Sequence, residues 1–230
     1  MNIIGIIGSP RRNGSTATLV RDALRGAREN GAETEEIFLP DCHIEYCKGC
    51  FTCMAKGRCP IDDDFEEIRE KVYGADGVII GSPSYGIAPT AIYKTFLDRI
   101  GMFTVYTSSM GGKYIAGLST SAAMGASQVS RQLTGLADGI FKRGFVSGRL
   151  AVNVGWDGVG QDHAARKKAY ALGRKVTGDI AIGRRYPFQG IMKRMLHRVV
   201  LKRVFRNNVL QNKGTRMRAV YENLTARHLI

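Results

Sequence analysis

The stretch Asn2-Ile-Ile-Gly-Ile-Ile-Gly-Ser-Pro-Arg-Arg-Asn-Gly-Ser-Thr16 decides the fold of this 230-residue chain. Its apolar run Ile3–Ile7 predicts a short buried strand, and Gly8 ends that run. From Ser15 to Glu29 the apolar side chains recur at helical spacing, which predicts a helix. The stretch Glu35–Leu39 returns to a strand pattern. Strand, loop, helix and second strand together make a βαβ unit.

The loop between the first strand and the first helix, residues 8–16, is suited to a phosphate group. Its backbone amides, hydroxyls and arginine can surround a phosphate at the positive end of the helix dipole. The lysine of a Walker loop is absent, and so is the G-x-G-x-x-G spacing of dinucleotide sites. The loop therefore suits a monophosphate better than a triphosphate.

Strand and helix patterns continue to alternate up to residue 182. Five such repeats predict a three-layer α/β fold around a parallel sheet, with ligands beyond the carboxyl ends of the strands. The run Asp62–Asp64 is interpreted as the N-terminal cap of the helix that follows it. The later strands are predicted at 77–80, 114–118 and 145–154, and the later helices at 65–73, 91–100, 127–141 and 164–182.

Two further loops follow predicted strands and suit a flat ring. Residues 81–86, Gly-Ser-Pro-Ser-Tyr-Gly, offer an aromatic face and glycine amides after the third strand. Residues 119–125, Ser-Thr-Ser-Ala-Ala-Met-Gly, offer small side chains after the fourth strand. Each loop alone is also typical of an ordinary strand-to-helix turn, and an isolated tyrosine often only covers a sheet. Their joint placement at the ends of strands one, three and four predicts a ligand site.

Four cysteines, Cys47, Cys50, Cys53 and Cys59, follow the spacing C-x2-C-x2-C-x5-C. Short gaps let successive sulfurs converge on one centre, and the run resembles the spacing of iron–sulfur ligands more than the paired knuckles of a zinc site. Three interpretations stay open at this point: an iron–sulfur cluster, reduced thiols without metal, and zinc. Cys42 lies outside the spacing and is interpreted as structural.

Charge divides the chain unevenly. Of the net charge of +14, residues 183–230 carry +11, from 12 basic residues and one acidic residue. We therefore predict a domain at residues 1–182 and a basic, helical C-terminal extension at residues 183–230. Phe188–Phe205 has apolar side chains at helical spacing with basic residues between them. That helix either packs on the protein itself or across an oligomer interface, or it binds an anionic membrane surface.

The quoted motifs resemble the NAD(P)H-dependent FMN reductases of the flavodoxin-like superfamily. The resemblance rests on the first loop, on the Pro-x-Tyr-Gly of residues 83–86, on Lys94–Arg99, and on the cysteine spacing that runs into Asp62–Asp64. Within that group, the four cysteines resemble those of the iron–sulfur flavoproteins. The resemblance covers about residues 1–182, and the extension has no counterpart in it. It implies a five-stranded parallel sheet in the order 2-1-3-4-5.

The resemblance also implies the cofactor and its ligands. FMN is expected with its phosphate on the first loop and its ring between the second and third loops, and a 4Fe-4S cluster is implied on Cys47, Cys50, Cys53 and Cys59. A homodimer or homotetramer is implied, with the cysteines near a neighbouring flavin. The FMN ligands implied are Ser9, Arg11, Asn13, Ser15, Thr16, Pro83, Ser84, Tyr85, Gly86, Thr120, Ser121 and Gly125.

The expected activity follows from the cofactor, since flavin chemistry needs no protein acid or base and no catalytic residue is assigned. We expect an FMN-dependent oxidoreductase that passes electrons from NAD(P)H or a reduced carrier to a flavin, a quinone or a cluster. The alternative is a one-electron carrier whose basic surface attracts an acidic protein such as ferredoxin. Nucleic-acid binding has only the basic extension in its favour and is not expected. No apolar run approaches the roughly 20 residues of a membrane span, and clustered cysteines indicate a reducing, cytoplasmic environment.

Overall fold

The computed structural model describes residues 1–160, 162–187, 189 and 202–230. Its strands are β1 Asn2–Ile7, β2 Glu33–Phe38, β3 Gly77–Gly81, β4 Tyr114–Ser121 and β5 Phe145–Asn153. All neighbouring strands pair in parallel, in the order β2-β1-β3-β4-β5. The predicted fold class and strand order are confirmed. Because the chain crosses from one side of β1 to the other, a topological switch point lies between the ends of β1 and β3.

Helices cover both faces of this sheet. Among the described residues, the α-helices are α1 Ser15–Arg28, α2 Thr52–Lys56, α3 Phe65–Gly74, α4 Ala91–Thr107, α5 Ala126–Leu133, α6 His163–Ala181, α7 Lys202–Gln211 and α8 Arg218–Ala226. Helices α1 and α6 pack on one face, and α3, α4 and α5 pack on the other. Alternate residues of β1 serve the two cores, with Ile3 and Ile7 on the α1 face and Ile4 and Ile6 on the α4 face.

Two predicted helices end several residues from where they were predicted to end. The helix predicted at 91–100 continues to Thr107. The helix predicted at 127–141 ends at Leu133, and a 3-10 turn covers Thr134–Ala137, where Gly135 weakens an α-helix.

Asp64 occupies the N-cap of α3, yet its side chain makes no capping hydrogen bond. The Asp64 carboxylate instead accepts the His43 amide at 2.7 Å, and it is Asp63 of the predicted run whose carboxylate accepts the Phe65 amide at the start of α3, at 3.2 Å.

The C-terminal extension shares a core with the rest of the chain where it is described. Helices α7 and α8, called here the terminal helix pair, contribute fully buried aliphatic side chains to a third cluster with α2 and α4. Most of the predicted helix at 188–205 lies outside the described residues, which include only Gln189 and residues 202–205, the latter in α7. No helix of the described ranges has both the length and the apolar content of a membrane span.

Candidate functional site

The loops after β1, β3 and β4 are joined by hydrogen bonds at the switch point. The Gly8 amide donates to the Gly81 carbonyl at 2.8 Å, and the Ser84 amide donates to the Thr120 carbonyl at 2.8 Å. The hydroxyls of Thr16 and Thr120 are 2.7 Å apart. These bonds fix the three loops relative to one another within the protein itself. A preformed site of this kind lowers the entropic cost of binding a ligand.

A cavity of about 500 Å³ opens between these loops. Its size is typical of a small-molecule site. The loop after β5 forms a further wall, and the Val154 amide joins that wall to β4 by donating to the Ser121 carbonyl at 2.9 Å. Arg11 supplies the charge among the lining residues, which are Ser9, Arg11, Gly14, Ser15, Thr16, Pro83, Ser84, Tyr85, Gly86, Thr120, Ser121, Ala122, Val154, Gly155, Trp156 and Gly158.

Helix α1 begins at this cavity with an uncapped first turn. Gly14 is its N-cap residue, and no side chain of the described residues caps it. The first amide N–H groups of a helix lack partners within the helix, and its dipole favours an anion at that end. The Ser15 hydroxyl accepts the Val159 amide at 3.0 Å, which fixes the helix start against the loop after β5. This end of α1 can therefore hold a phosphate.

A buried hydroxyl without a partner supports the choice of FMN as the ligand. Ser84 lines the cavity, and its buried Oγ, which lies against Gly125, has no hydrogen-bond partner among the described residues. Gly125 adopts φ of 93°, and a Cβ there would overlap Ser84 Oγ, so only glycine lets the loops after β3 and β4 approach. A polar ring edge satisfies such a hydroxyl. The residues present thus fit both the ring and the phosphate of FMN.

All but two of the predicted FMN ligands line the cavity. The exceptions are Asn13, which is exposed in the turn before α1, and Gly125, which lies behind Ser84. The side chain of Asn13 is therefore not placed against the cavity. Because Gly125 has no side chain, it leaves room for Ser84 in the cavity wall.

Sequence reasoning missed the wall formed by the loop after β5. Trp156 on this loop is 93% exposed and is the one tryptophan of the chain. The sequence could have indicated this wall through its position, because the loop that carries Trp156 follows the carboxyl end of a strand, as the other three loops do. An exposed indole at the rim of a cavity is suited to covering a flat ring.

The segment 47–59, called here the cysteine loop, carries four free thiols that differ in burial. Cys47 and Cys50 are exposed, whereas Cys53 and Cys59 are partly buried. Burial raises the pKa of the Cys53 thiol, and the negative charges of Cys59, Cys47 and Cys50 raise it further. A hydrogen bond with Thr52 lowers the pKa of the Cys50 thiol. All of these sulfurs thus lie within electrostatic reach of Cys53.

The donor chemistry of the cysteine loop fits an iron–sulfur cluster. Four thiols in one segment form a soft ligand set, which iron–sulfur clusters and zinc both prefer. Left-handed backbone at Gly49, Phe51 and Gly57 lets the segment turn tightly. Among the described residues, no three potential ligands already stand at metal-binding positions. The loop therefore supplies the right donors and must close to bind a metal.

A buried ion pair lies beneath the cysteine loop. The side chains of Arg99 and Asp63 are 1% and 0% exposed, and they pair directly. Asp63 accepts the Glu45 amide at 2.8 Å, and Arg99 donates to the Glu45 carbonyl at 3.2 Å. Burial works to lower the pKa of Arg99, but Asp63 and the nearby Cys59 outweigh it and raise that pKa. The pair thus binds both the amide and the carbonyl of Glu45, which fixes the chain just before the cysteine loop.

The sheet order and the monophosphate-suited loop at its switch point define a flavodoxin-like protein. Solved structures share this fold. A flavone reductase aligns with a TM-score of 0.63 and 23% identity, over 79% of this chain and 63% of that one. An NAD(P)H:quinone oxidoreductase from Methanothermobacter marburgensis aligns with a TM-score of 0.59 and 13% identity, over 76% of this chain and 98% of that one.

The chain belongs to the NADPH-dependent FMN reductase family, whose sequence model matches residues 1–157. A protein of Archaeoglobus fulgidus named iron-sulfur flavoprotein is 34% identical over 180 residues, which cover 77% of this chain and 79% of the relative. An iron-sulfur flavoprotein of Methanocaldococcus jannaschii is 48% identical over 99 residues, which cover 43% of this chain and 51% of the relative. This chain thus matches about half the length of the second relative.

Proposed function

We propose that this protein takes electrons from NAD(P)H or a reduced carrier onto FMN and delivers them to a small acceptor such as a flavin or a quinone. The observation that carries the proposal is the cavity at the switch point, with its uncapped helix start and its unpartnered Ser84 hydroxyl. Bound FMN supplies the hydride and electron chemistry. The residues of the chain bind and orient the cofactor, and they need not move a proton.

The cavity residues divide into two groups by their chemistry. Arg11 and the start of α1 form the charged end, which suits the phosphate. Ser84 and Tyr85 of the loop after β3 and Trp156 of the loop after β5 also line the cavity, and the two aromatic side chains are 52% and 93% exposed. An open aromatic rim leaves space for a second planar molecule beside a bound ring.

The phosphate end is tested by Ser15→Asp. A carboxylate at this position lies against the bound phosphate and should weaken FMN binding by about 2–3 kcal/mol, the scale of a lost charge-assisted contact. Quenching of Trp156 fluorescence during FMN titration measures the affinity. The matched control is Asn13→Asp, which adds the same charge to the same loop outside the cavity and should weaken binding much less. Equal affinities for wild type and Ser15→Asp would place the phosphate elsewhere.

A 4Fe-4S cluster on Cys47, Cys50, Cys53 and Cys59 is proposed as the second redox centre. The four neighbouring thiols support it. Anaerobic reconstitution should give about four iron and four sulfide per chain, following cluster stoichiometry. Cys59→Ser should lower this content, and Cys42→Ser, outside the cysteine loop, should not. Stoichiometric zinc, or no metal in the reconstituted wild type, would exclude the cluster.

A second candidate function is one-electron transfer to an acidic protein. Lys48, Lys56 and Arg58 are exposed within the cysteine loop, so a basic surface surrounds the thiols. Such a surface steers an acidic partner toward the redox centre. Stopped-flow reduction of the FMN form by NADH, NADPH and reduced ferredoxin separates the two functions. Fast hydride transfer from a nicotinamide supports the reductase, and reduction by ferredoxin alone supports the carrier.

A further inference from the structure

Helix α2, which carries Cys53, cannot hold its own conformation. It contains five residues, Thr52–Lys56, far fewer than the roughly 12 that an isolated helix needs for marginal stability. The residues on either side, Phe51 and Gly57, both adopt left-handed backbone. The conformation of this segment therefore depends on what packs against it.

The terminal helix pair supplies that packing. Met54 of α2 is 1% exposed, although Cys50 nearby is exposed and Cys53 beside it is only partly buried. It lies in a cluster in which three fully buried side chains come from the pair and one comes from α4, and Cys53 packs against this cluster. The members are Met54, Phe103, Val209, Val220 and Leu224.

Two further contacts fix the pair against the domain. A Cβ at Gly57, the end of α2, would lie 3.4 Å from the Ala219 side chain. Arg227, just after α8, donates to the carbonyls of Thr107 and Ser108 at 2.8 and 2.9 Å. Those carbonyls end helix α4, where a cation is favourable. The pair is thus anchored on α4 and presses on α2.

We infer that the terminal helix pair is a positioning element for the cysteine loop, which holds α2 and with it Cys53 in place. The pair lies outside the family match at residues 1–157 and contributes no residue to the lining of the flavin cavity. Its loss should therefore disturb Cys53 and leave FMN binding intact. The inference concerns the thiol itself and holds whether or not a cluster binds there.

The test is Leu224→Ala in the full-length, FMN-loaded protein without metal. Removing this buried side chain weakens the packing on α2, so local opening should expose Cys53 more often. We expect alkylation of Cys53 by iodoacetamide, followed by peptide mass spectrometry, to become at least about tenfold faster. Binding of FMN should be unchanged. Reconstituted wild type and variant can then be compared for cluster retention against an iron chelator, and the variant should lose iron faster.

Two controls match this variant. Thr225→Ala alters an exposed neighbour on α8 and should leave the alkylation rate unchanged. Leu172→Ala removes a leucine from the core beneath α6, and should lower the melting temperature without faster alkylation of Cys53. Equal alkylation rates in Leu224→Ala and Leu172→Ala would overturn the inference.

A milder variant covers the case in which Leu224→Ala fails to fold. Arg227→Gln removes the charged anchor and keeps the apolar cluster. It should raise the Cys53 alkylation rate by a smaller factor than Leu224→Ala, and an unchanged rate in a folded Arg227→Gln protein would also overturn the inference. If wild type binds no cluster, the proposed second redox centre fails, while the alkylation rates still decide the role of the helix pair.

Discussion

Asp63 shows how a single residue acquires its role from a distant partner. In sequence it is the middle of three aspartates before a helix, a pattern typical of a cap. In the structure its carboxylate is fully buried and pairs with Arg99, which is also buried. Breaking such a pair leaves an uncompensated charge inside the protein.

Asp63→Asn should therefore lower the free energy of unfolding by about 3 kcal/mol at neutral pH. The reason is the buried Arg99 charge that the variant leaves unpaired. Urea denaturation of both proteins measures the difference. Asp62→Asn, at an exposed position beside it, is the control and should change stability by less than about 0.5 kcal/mol. Equal losses in the two variants would show that Asp63 acts as an ordinary surface carboxylate.

The same pair predicts a pH dependence. Burial works to raise the pKa of Asp63, but Arg99 and the amides of Glu45 and Phe65 outweigh it and hold that pKa below its ordinary value. A lowered folded pKa contributes stability above the unfolded pKa and loses it as the pH falls through the folded pKa. The difference between wild type and Asp63→Asn should thus be full at pH 7 and shrink below about pH 4. A difference that stays constant down to about pH 2 would contradict this assignment.

At the scale of elements, four loops at one edge of the sheet make the cavity, and the loop after β5 adds its exposed aromatic residue. The strand order determines the position of Trp156. Because β5 pairs with β4, the loop after β5 lies at the cavity that the three earlier loops form. The indole has almost no packing partner in the described protein, being 93% exposed. A large apolar surface of this kind is suited to contact with a ligand.

Trp156→Ala should weaken FMN binding by about 1 kcal/mol, the value of an aromatic contact beyond its burial. Trp156→Phe should restore most of the affinity, because it keeps an aromatic face. The fluorescence of FMN itself reports binding, since the variants lack the tryptophan. Tyr46→Ala, which removes an aromatic side chain of 77% exposure outside the cavity, is the control. If it weakens FMN as much as Trp156→Ala does, the indole is not specific to the site.

At the scale of the whole molecule, charge and packing in the C-terminal extension are separate properties. The extension carries most of the net charge of +14. Yet Val209, Val220 and Leu224 are fully buried against the domain, so these apolar side chains of α7 and α8 are already occupied, whereas Val204 and Leu210 of α7 are exposed. This arrangement favours packing on the protein itself over insertion of these two helices into a membrane.

Truncation after Gly183 should therefore destabilise the domain. Each of the three buried side chains contributes about 1.5–3 kcal/mol of burial, and the truncation also uncovers Met54 and Phe103. We expect a lower melting temperature and self-association, measured by calorimetry and by light scattering after gel filtration. Cosedimentation with anionic vesicles at physiological salt should not differ between the two chains. A stable, monodisperse truncated protein that loses vesicle binding would instead assign the extension to a membrane surface.

The sequence patterns were enough to predict the parallel sheet and the loops that form most of the cavity, and the family resemblance implied the strand order. Strand and helix periodicity is a local property, and phosphate loops place their ligands within a few residues of one strand end. The predicted residues from Ser9 to Thr16 and from Pro83 to Gly86 therefore lie together, with Asn13 as the exception. The cysteine spacing is equally local, which is why the four thiols were recognisable as a group.

Tertiary structure decided the contacts that join residues far apart in the chain. The sequence predicted Asp63 only as part of a helix cap. Its ion pair was not predictable, because its partner Arg99 lies on another helix and no local pattern links the two. The contribution of Trp156 to the cavity was missed because it depends on β5 lying beside β4. The position of α8 on α2 brings Leu224 to Met54 across most of the chain. The sequence by itself determined the elements and the local ligand loops, whereas only packing between distant elements determined which side chains complete them.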